Sequence, residues 1–190
     1  MKKAFAIFVS ILMGISLFAQ GSIDGTWIFS ETENKAFDES GGNGKLNYIN
    51  TMTFKFSGDG YTMKVSTSVQ MDLNGEGKDG TPVNAVFNIK VSGSNGGKFS
   101  RDGNRLTLTP TKGSKPQVDV DADVQGVPGG SLMKSMISGP IKKEFNEELK
   151  RVQNFRIVSL TQTELTLEDI LTEKEIKKGE KPETMVLTRQ

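Results

Sequence analysis

A period of two constrains this chain more than any other feature. Apolar residues recur at every second position in one run after another, and glycine-rich turns separate the runs. In "NTMTFKF", Met52, Phe54 and Phe56 fall on one side. In "YTMKVSTSVQMDL", Tyr61, Met63, Val65, Val69, Met71 and Leu73 share a side, and Lys64, Ser66, Ser68 and Gln70 take the other. "VNAVFNIKV" alternates Val83, Ala85, Phe87, Ile89 and Val91 with mostly polar neighbours. Leu106 and Leu108, then Val118, Val120 and Val124, continue the pattern, and Phe155, Ile157, Leu165, Leu167, Met185 and Leu187 finish it. One apolar and one polar face per strand marks an antiparallel sheet with a single buried side. A mainly β fold is predicted, with its first strand over 23–31.

The turns agree with this reading. "FSGDGY" at 56–61 and "FSRDGN" at 99–104 each place Asp-Gly between apolar runs. Asp-Gly is expected to supply the positive φ of a tight hairpin. The polar stretches 32–47 and 72–82 read as loops rich in Gly, Asn and Asp. Consecutive hairpins leave sheet edges to protect. Closing the sheet into an up-and-down β-barrel removes them, and a two-sheet sandwich is the competing solution.

One segment departs from period two. In "SLMKSMISGPIKKEFNEELKR", 131–151, Leu132, Met133, Met136, Ile137, Ile141, Phe145 and Leu149 recur at spacings of three and four. This is an amphipathic helical stripe. Gly139-Pro140 interrupts it, so two short helices are expected, with Pro140 in the first turn of the second. The helical stretch has three readings: packing outside the sheet over an edge, capping an open mouth as a lid, or binding a partner through its apolar stripe. Met133, Met136 and Ile137 are the lid candidates.

The chain opens MKKAFAIFVSILMGISLFAQG, with Lys2 and Lys3 ahead of an apolar run from Ala4 to Phe18. This reads as a secretory signal peptide over 1–19, leaving one domain over 20–190 in the periplasm or outside the cell. The apolar run is shorter than the roughly 20 residues that a spanning helix needs. Cysteine is absent. That excludes a lipid-attachment cysteine, disulfides, thiolate metal ligands and a cysteine nucleophile. Without Lys2 and Lys3, the 24 basic residues become 22 against 23 acidic ones, a net charge near −1. No basic block suggests nucleic acid or an anionic membrane as a partner.

The only tryptophan lies in "IDGTWIF", 23–29, where Trp27 shares a face with Ile23 and Phe29. Gly25 permits close approach of another group. At the far end, "TMVLTRQ" puts Arg189 on the same side as Met185 and Leu187. An inward arginine needs a partner, and stacking on an indole supplies about 0.5–2 kcal/mol. Gly25, Trp27 and Arg189 together resemble the lipocalin and wider calycin group, whose barrels open on Gly-x-Trp and close with an Arg over that Trp. The layout is similar to short secreted bacterial lipocalin-like domains. Gly25-Thr26-Trp27, the hairpin from Phe54 to Tyr61 and Leu187-Thr188-Arg189 carry the resemblance, which covers most of 22–109 and 153–190. The stretch 110–152, with its helical insertion at about 131–151, departs from the short members. The resemblance implies an antiparallel up-and-down lipocalin-like β-barrel in which Trp27 and Arg189 plug one end.

Histidine is absent too, which removes the commonest general base and imidazole metal ligand. No nucleophile elbow or phosphate loop appears. Catalysis and cofactors are therefore not expected. Asp119, Asp121 and Asp123 in "DVDADV" alternate with Val120, Ala122 and Val124, and read as a solvated outer face rather than a Ca²⁺ site. "DLNGEGKDGTPV" (72–83) carries Asp72, Asn74, Glu76 and Gly77 like a calcium loop, but Val83 stands where a bidentate Glu belongs, so it reads as a polar hairpin loop. The predicted inward residues Phe54, Phe56, Met63, Val65, Phe87, Ile89, Val120 and Leu167 either fill the barrel or line a ligand cavity. The functional expectation is a secreted, non-catalytic protein that binds a small apolar or amphipathic ligand. A filled core that acts through its surface as a structural or protein-interaction module is the alternative.

Overall fold

The computed structural model describes residues 22–39, 42–76, 81–113, 115–127 and 129–190. The leader expected over 1–19 lies outside them. The described residues form nine strands: β1 (Gly25–Glu39), β2 (Gly42–Ser57), β3 (Gly60–Glu76), β4 (Pro82–Asp102), β5 (Arg105–Pro110), β6 (Gln117–Gln125), β7 (Gln153–Leu160), β8 (Glu164–Asp169) and β9 (Thr184–Arg189). Helix α1 (Gly130–Glu148) joins β6 to β7, and a short α2 (Glu173–Lys177) joins β8 to β9.

The strands make one antiparallel sheet in the order β3-β2-β1-β9-β8-β7-β5-β4-β6. A further pairing of β3 with β4 joins eight of them into a ring and leaves β6 outside it. β1 meets β9 only at Trp27↔Arg189 and Ile28↔Thr188. Beyond those pairs the long hairpins run on as an open sheet. There β6 pairs with β4 over Val86–Ser94, whereas β5 pairs with β4 over Gly97–Asp102 within the ring.

Alternation decides what each strand buries. Along β3, Tyr61, Met63 and Val65 are buried while Thr62, Lys64 and Ser66 are exposed. The same alternation on the other ring strands brings Trp27, Phe54, Phe56, Leu106, Leu108, Leu165, Leu167 and Leu187 together, all fully buried. Phe56 stacks in parallel with Phe54 and meets Phe99 edge-on, at ring separations of 6.1 and 5.1 Å. Burying each of these side chains stabilises the fold by about 1.5–3 kcal/mol before entropy is counted.

The inward face of the ring continues onto the open sheet. Register places Thr67, Val91 and Val120 in one row, then Val69, Ile89 and Ala122, then Met71, Phe87 and Val124. α1 packs along β6 and reaches β4. Its packed residues recur every fourth position: Met133, Ile137, Ile141 and Phe145 are half-buried and Leu149 is buried. Gly93 permits this contact, since a Cβ there would stand 2.6 Å from Phe145 and 2.8 Å from Leu149. The Asn95 side-chain amide donates to the Leu149 carbonyl at the same place.

Four sequence expectations change. Residues 32–39, 42–47, 72–76 and 82 belong to strands, because neighbouring strands satisfy their backbone groups despite their polar composition. α1 is one helix with Pro140 inside it. Gly139 carries no Cβ to clash with the proline ring, and exposed Met136 leaves its carbonyl, which lacks a proline N–H partner, close to water. Leu132 and Met136 do not belong to the packed row, being about two-thirds exposed. In the β2–β3 turn, the positive φ sits at Gly58 (61°) and not at Gly60; in the β4–β5 turn, Gly103 (58°) supplies it as expected. Both hairpins thus place glycine first in a two-residue turn, followed by Asp59 or Asn104.

Candidate functional site

The two ends of the ring differ. At one end Trp27 is fully buried, and its indole N–H donates to the Ile23 carbonyl at 2.7 Å. The Arg189 guanidinium lies 4.5 Å from the ring centre. One of its terminal nitrogens donates to the Ser22 and Asp24 carbonyls, at 2.6 and 3.0 Å. Gly25 adopts φ 127°, which glycine alone adopts readily, and Arg189 passes over it. This end is packed shut.

The other end opens into a cleft of about 330 Å³. Met52 and Phe54 of β2, Met63 and Val65 of β3, Phe155 of β7 and Met185 of β9 form its apolar floor. The last turn of α1 forms one wall through Phe145, Glu148 and Leu149. The segment after β8, including Ile170, Leu171, Thr172 and Glu175, forms another. One row beyond Met52 and Val65, Thr67 Oγ1 donates to buried Asn50 Oδ1 at 3.1 Å.

Carboxylates crowd the rim: among the described residues, Glu148, Asp169, Glu175 and Glu183 line the cleft beside a single cation, Arg151. Arg151 is tied to Glu148 at 2.7 Å. Asp169 follows Leu165 and Leu167 on the inward face of β8, and its amide donates to the Glu183 carbonyl at 2.9 Å. Burial, helped by Glu183, Glu175 and Glu148, pushes the Asp169 carboxyl up to about 6. Among the described residues, no cation or hydrogen-bond donor reaches it. Glu175 behaves oppositely. The Thr172 amide and hydroxyl donate to it at 2.6 and 2.8 Å in a capping box, and hold it below the usual carboxylate range. Tyr48 of β2 is raised by burial and by Glu31, Glu183 and Glu33, which extends the acidic surroundings toward β1.

The eight predicted lining residues divide. Phe54, Met63 and Val65 line the cleft. Phe56 and Leu167 are buried deeper in the core. Phe87, Ile89 and Val120 sit half-buried on the open sheet, and Phe87 faces a separate shallow hollow with Phe37, Leu73 and Ala85. Met133, Met136 and Ile137 do not line the cleft, since α1 presents its C-terminal turn to the mouth. Sequence reasoning passed over the acidic rim, though its signal was present: Asp169 and Glu183 keep the inward parity of Leu165, Leu167, Met185 and Leu187.

Asp119, Asp121 and Asp123 are exposed along β6, where Asp121 pairs with Lys134 at 3.3 Å. Asp72, Asn74 and Glu76 lie along β3, and Gly77 lies outside the described residues. Among the described residues, no group of three or more acidic side chains is arranged to hold a metal ion, and no helix is long and apolar enough to cross a membrane. No family model and no curated protein matches this chain.

Proposed function

We propose that the ring of strands is a lipocalin-like β-barrel, carried by a secreted, non-catalytic protein, and that it binds a small apolar or amphipathic ligand at its open end. The cleft carries this reading: about 330 Å³ with a floor of Met52, Phe54, Met63, Val65, Phe155 and Met185, at the low end of the size of small-molecule sites. The Trp27–Arg189 plug supports it, because one sealed and one open end directs a ligand to a single mouth. Methionines in the floor adapt to different apolar shapes.

The test is titration with the neutral dye N-phenyl-1-naphthylamine, followed by its fluorescence. Saturable binding of one dye per chain is expected, and Met52→Trp should abolish it by filling the floor. A thermal melt of the variant reports whether its fold is kept. Absence of saturable binding, or binding indifferent to Met52→Trp in a folded variant, overturns the proposal in favour of a protein that acts through its surface.

A further inference from the structure

We infer that the ligand of this cleft is a small organic cation, an amphiphile with an apolar body and a protonated amine or quaternary ammonium head. The inference rests on the reading of the cleft as a ligand site and names the chemistry that site selects.

The floor and the rim make separate demands. The floor is aliphatic and aromatic, and it fits an apolar body. Among the described residues, the rim sets Glu148, Asp169, Glu175 and Glu183 against the guanidinium of Arg151, which Glu148 already engages at 2.7 Å. These carboxylates come from four separate places in the chain: the end of α1, the end of β8, α2 and the residue before β9. Asp169 and Glu183 are brought side by side by the β8–β9 backbone bond of 2.9 Å. Like charges on adjacent strands cost stability. The cleft therefore holds an excess of negative charge at the border of an apolar surface.

An anionic amphiphile would place its head against these carboxylates and be repelled. A neutral one would use the floor and leave the rim unanswered. A bare metal ion would not use the floor, and the acidic groups are not arranged to ligate one. An organic cation satisfies both regions, with its head beside Asp169 and Glu183 and its tail over Phe155, which pairs with Asp169 across β7 and β8. Partial exclusion of water strengthens such an ion pair relative to a surface one.

The experiment compares octyltrimethylammonium, 1-octanol and octanoate by calorimetry at pH 8 and low salt, below micelle-forming concentrations. These probes share a tail and differ in head charge. The cation is expected to bind at least tenfold more tightly than octanol, with octanoate weakest. The double variant Asp169→Asn/Glu183→Gln should bring the cation to within about twofold of octanol. Glu183→Gln alone, an exposed change, serves if the double variant does not fold. Octanol binding as tightly as the cation, or octanoate more tightly, refutes the charge inference and leaves the ligand site intact. A cation preference that survives either folded variant refutes it as well. Failure of all three probes to bind removes the ligand site itself.

Discussion

Replacing Asp169 with Asn keeps the shape of the side chain and removes a charge that the fold holds at a cost. The carboxyl titrates near 6 when folded and near 3.8 when free of its surroundings, burial being the largest cause and Glu183, Glu175 and Glu148 the rest. The unfolded chain therefore releases this proton first as pH rises. The native state carries no penalty below 3.8, accumulates one between 3.8 and 6, and carries it in full above 6. Full conversion of the difference gives about 3 kcal/mol. Asp169 is only half-buried, and solvent screening reduces the figure to about 1.5 kcal/mol. Asp169→Asn is thus expected to raise stability by about 1.5 kcal/mol at pH 8, or roughly 3–6 °C in Tm for a domain of this size. At pH 4 the gain should shrink to a few tenths of a kcal/mol, because the native carboxyl is then protonated. Thermal melts of both proteins at pH 4, 6 and 8, by circular dichroism, measure this directly. A variant less stable than the parent at pH 8 would mean that a donor or cation holds the Asp169 carboxylate, and a difference that does not change with pH would mean that folding leaves its pKa unshifted; either result refutes the account.

Arg189→Ala should lower stability by about 2–3 kcal/mol through loss of charge-assisted bonds to the Ser22 and Asp24 carbonyls and of the stack on Trp27. Trp27 emission should shift with it, and an unchanged melt and spectrum would count against the packed end. Gly93→Ala should push Phe145 and Leu149 outward, at about 1–3 kcal/mol by urea unfolding, and weaken dye binding because both residues wall the cleft. Met136→Ala should change neither stability by more than about 0.5 kcal/mol nor dye affinity, since Met136 is exposed and away from the mouth. A large loss of dye binding in this last variant would instead assign the middle of α1 to the lid.

Period-two alternation is a local property, and it makes the mainly β fold legible in the sequence. Inward positions such as Phe54, Met63, Leu106, Leu165 and Leu187 follow from parity alone, because a strand cannot bury both faces against one core. Arg189 could be paired with Trp27 from sequence because an inward arginine at the end of an apolar row needs a partner. Parity also places Asp169 and Glu183 inward, but only register brings them together, and register depends on backbone pairing between distant segments. Polarity hid the strands over 32–39, 42–47 and 72–76, whose largely polar side chains carry little packing signal.

Strand parity, the place of two hairpin turns and the helix between the strands are all readable from the residues alone. Tertiary structure decided that β3 returns to β4 to complete the ring, and that α1 walls the mouth with Phe145, Glu148 and Leu149. It also decided that four carboxylates from separate elements meet above an apolar floor. Alternation and turn chemistry are written residue by residue. The cleft is a relation among strand ends and helix ends that touch only after the chain has closed on itself.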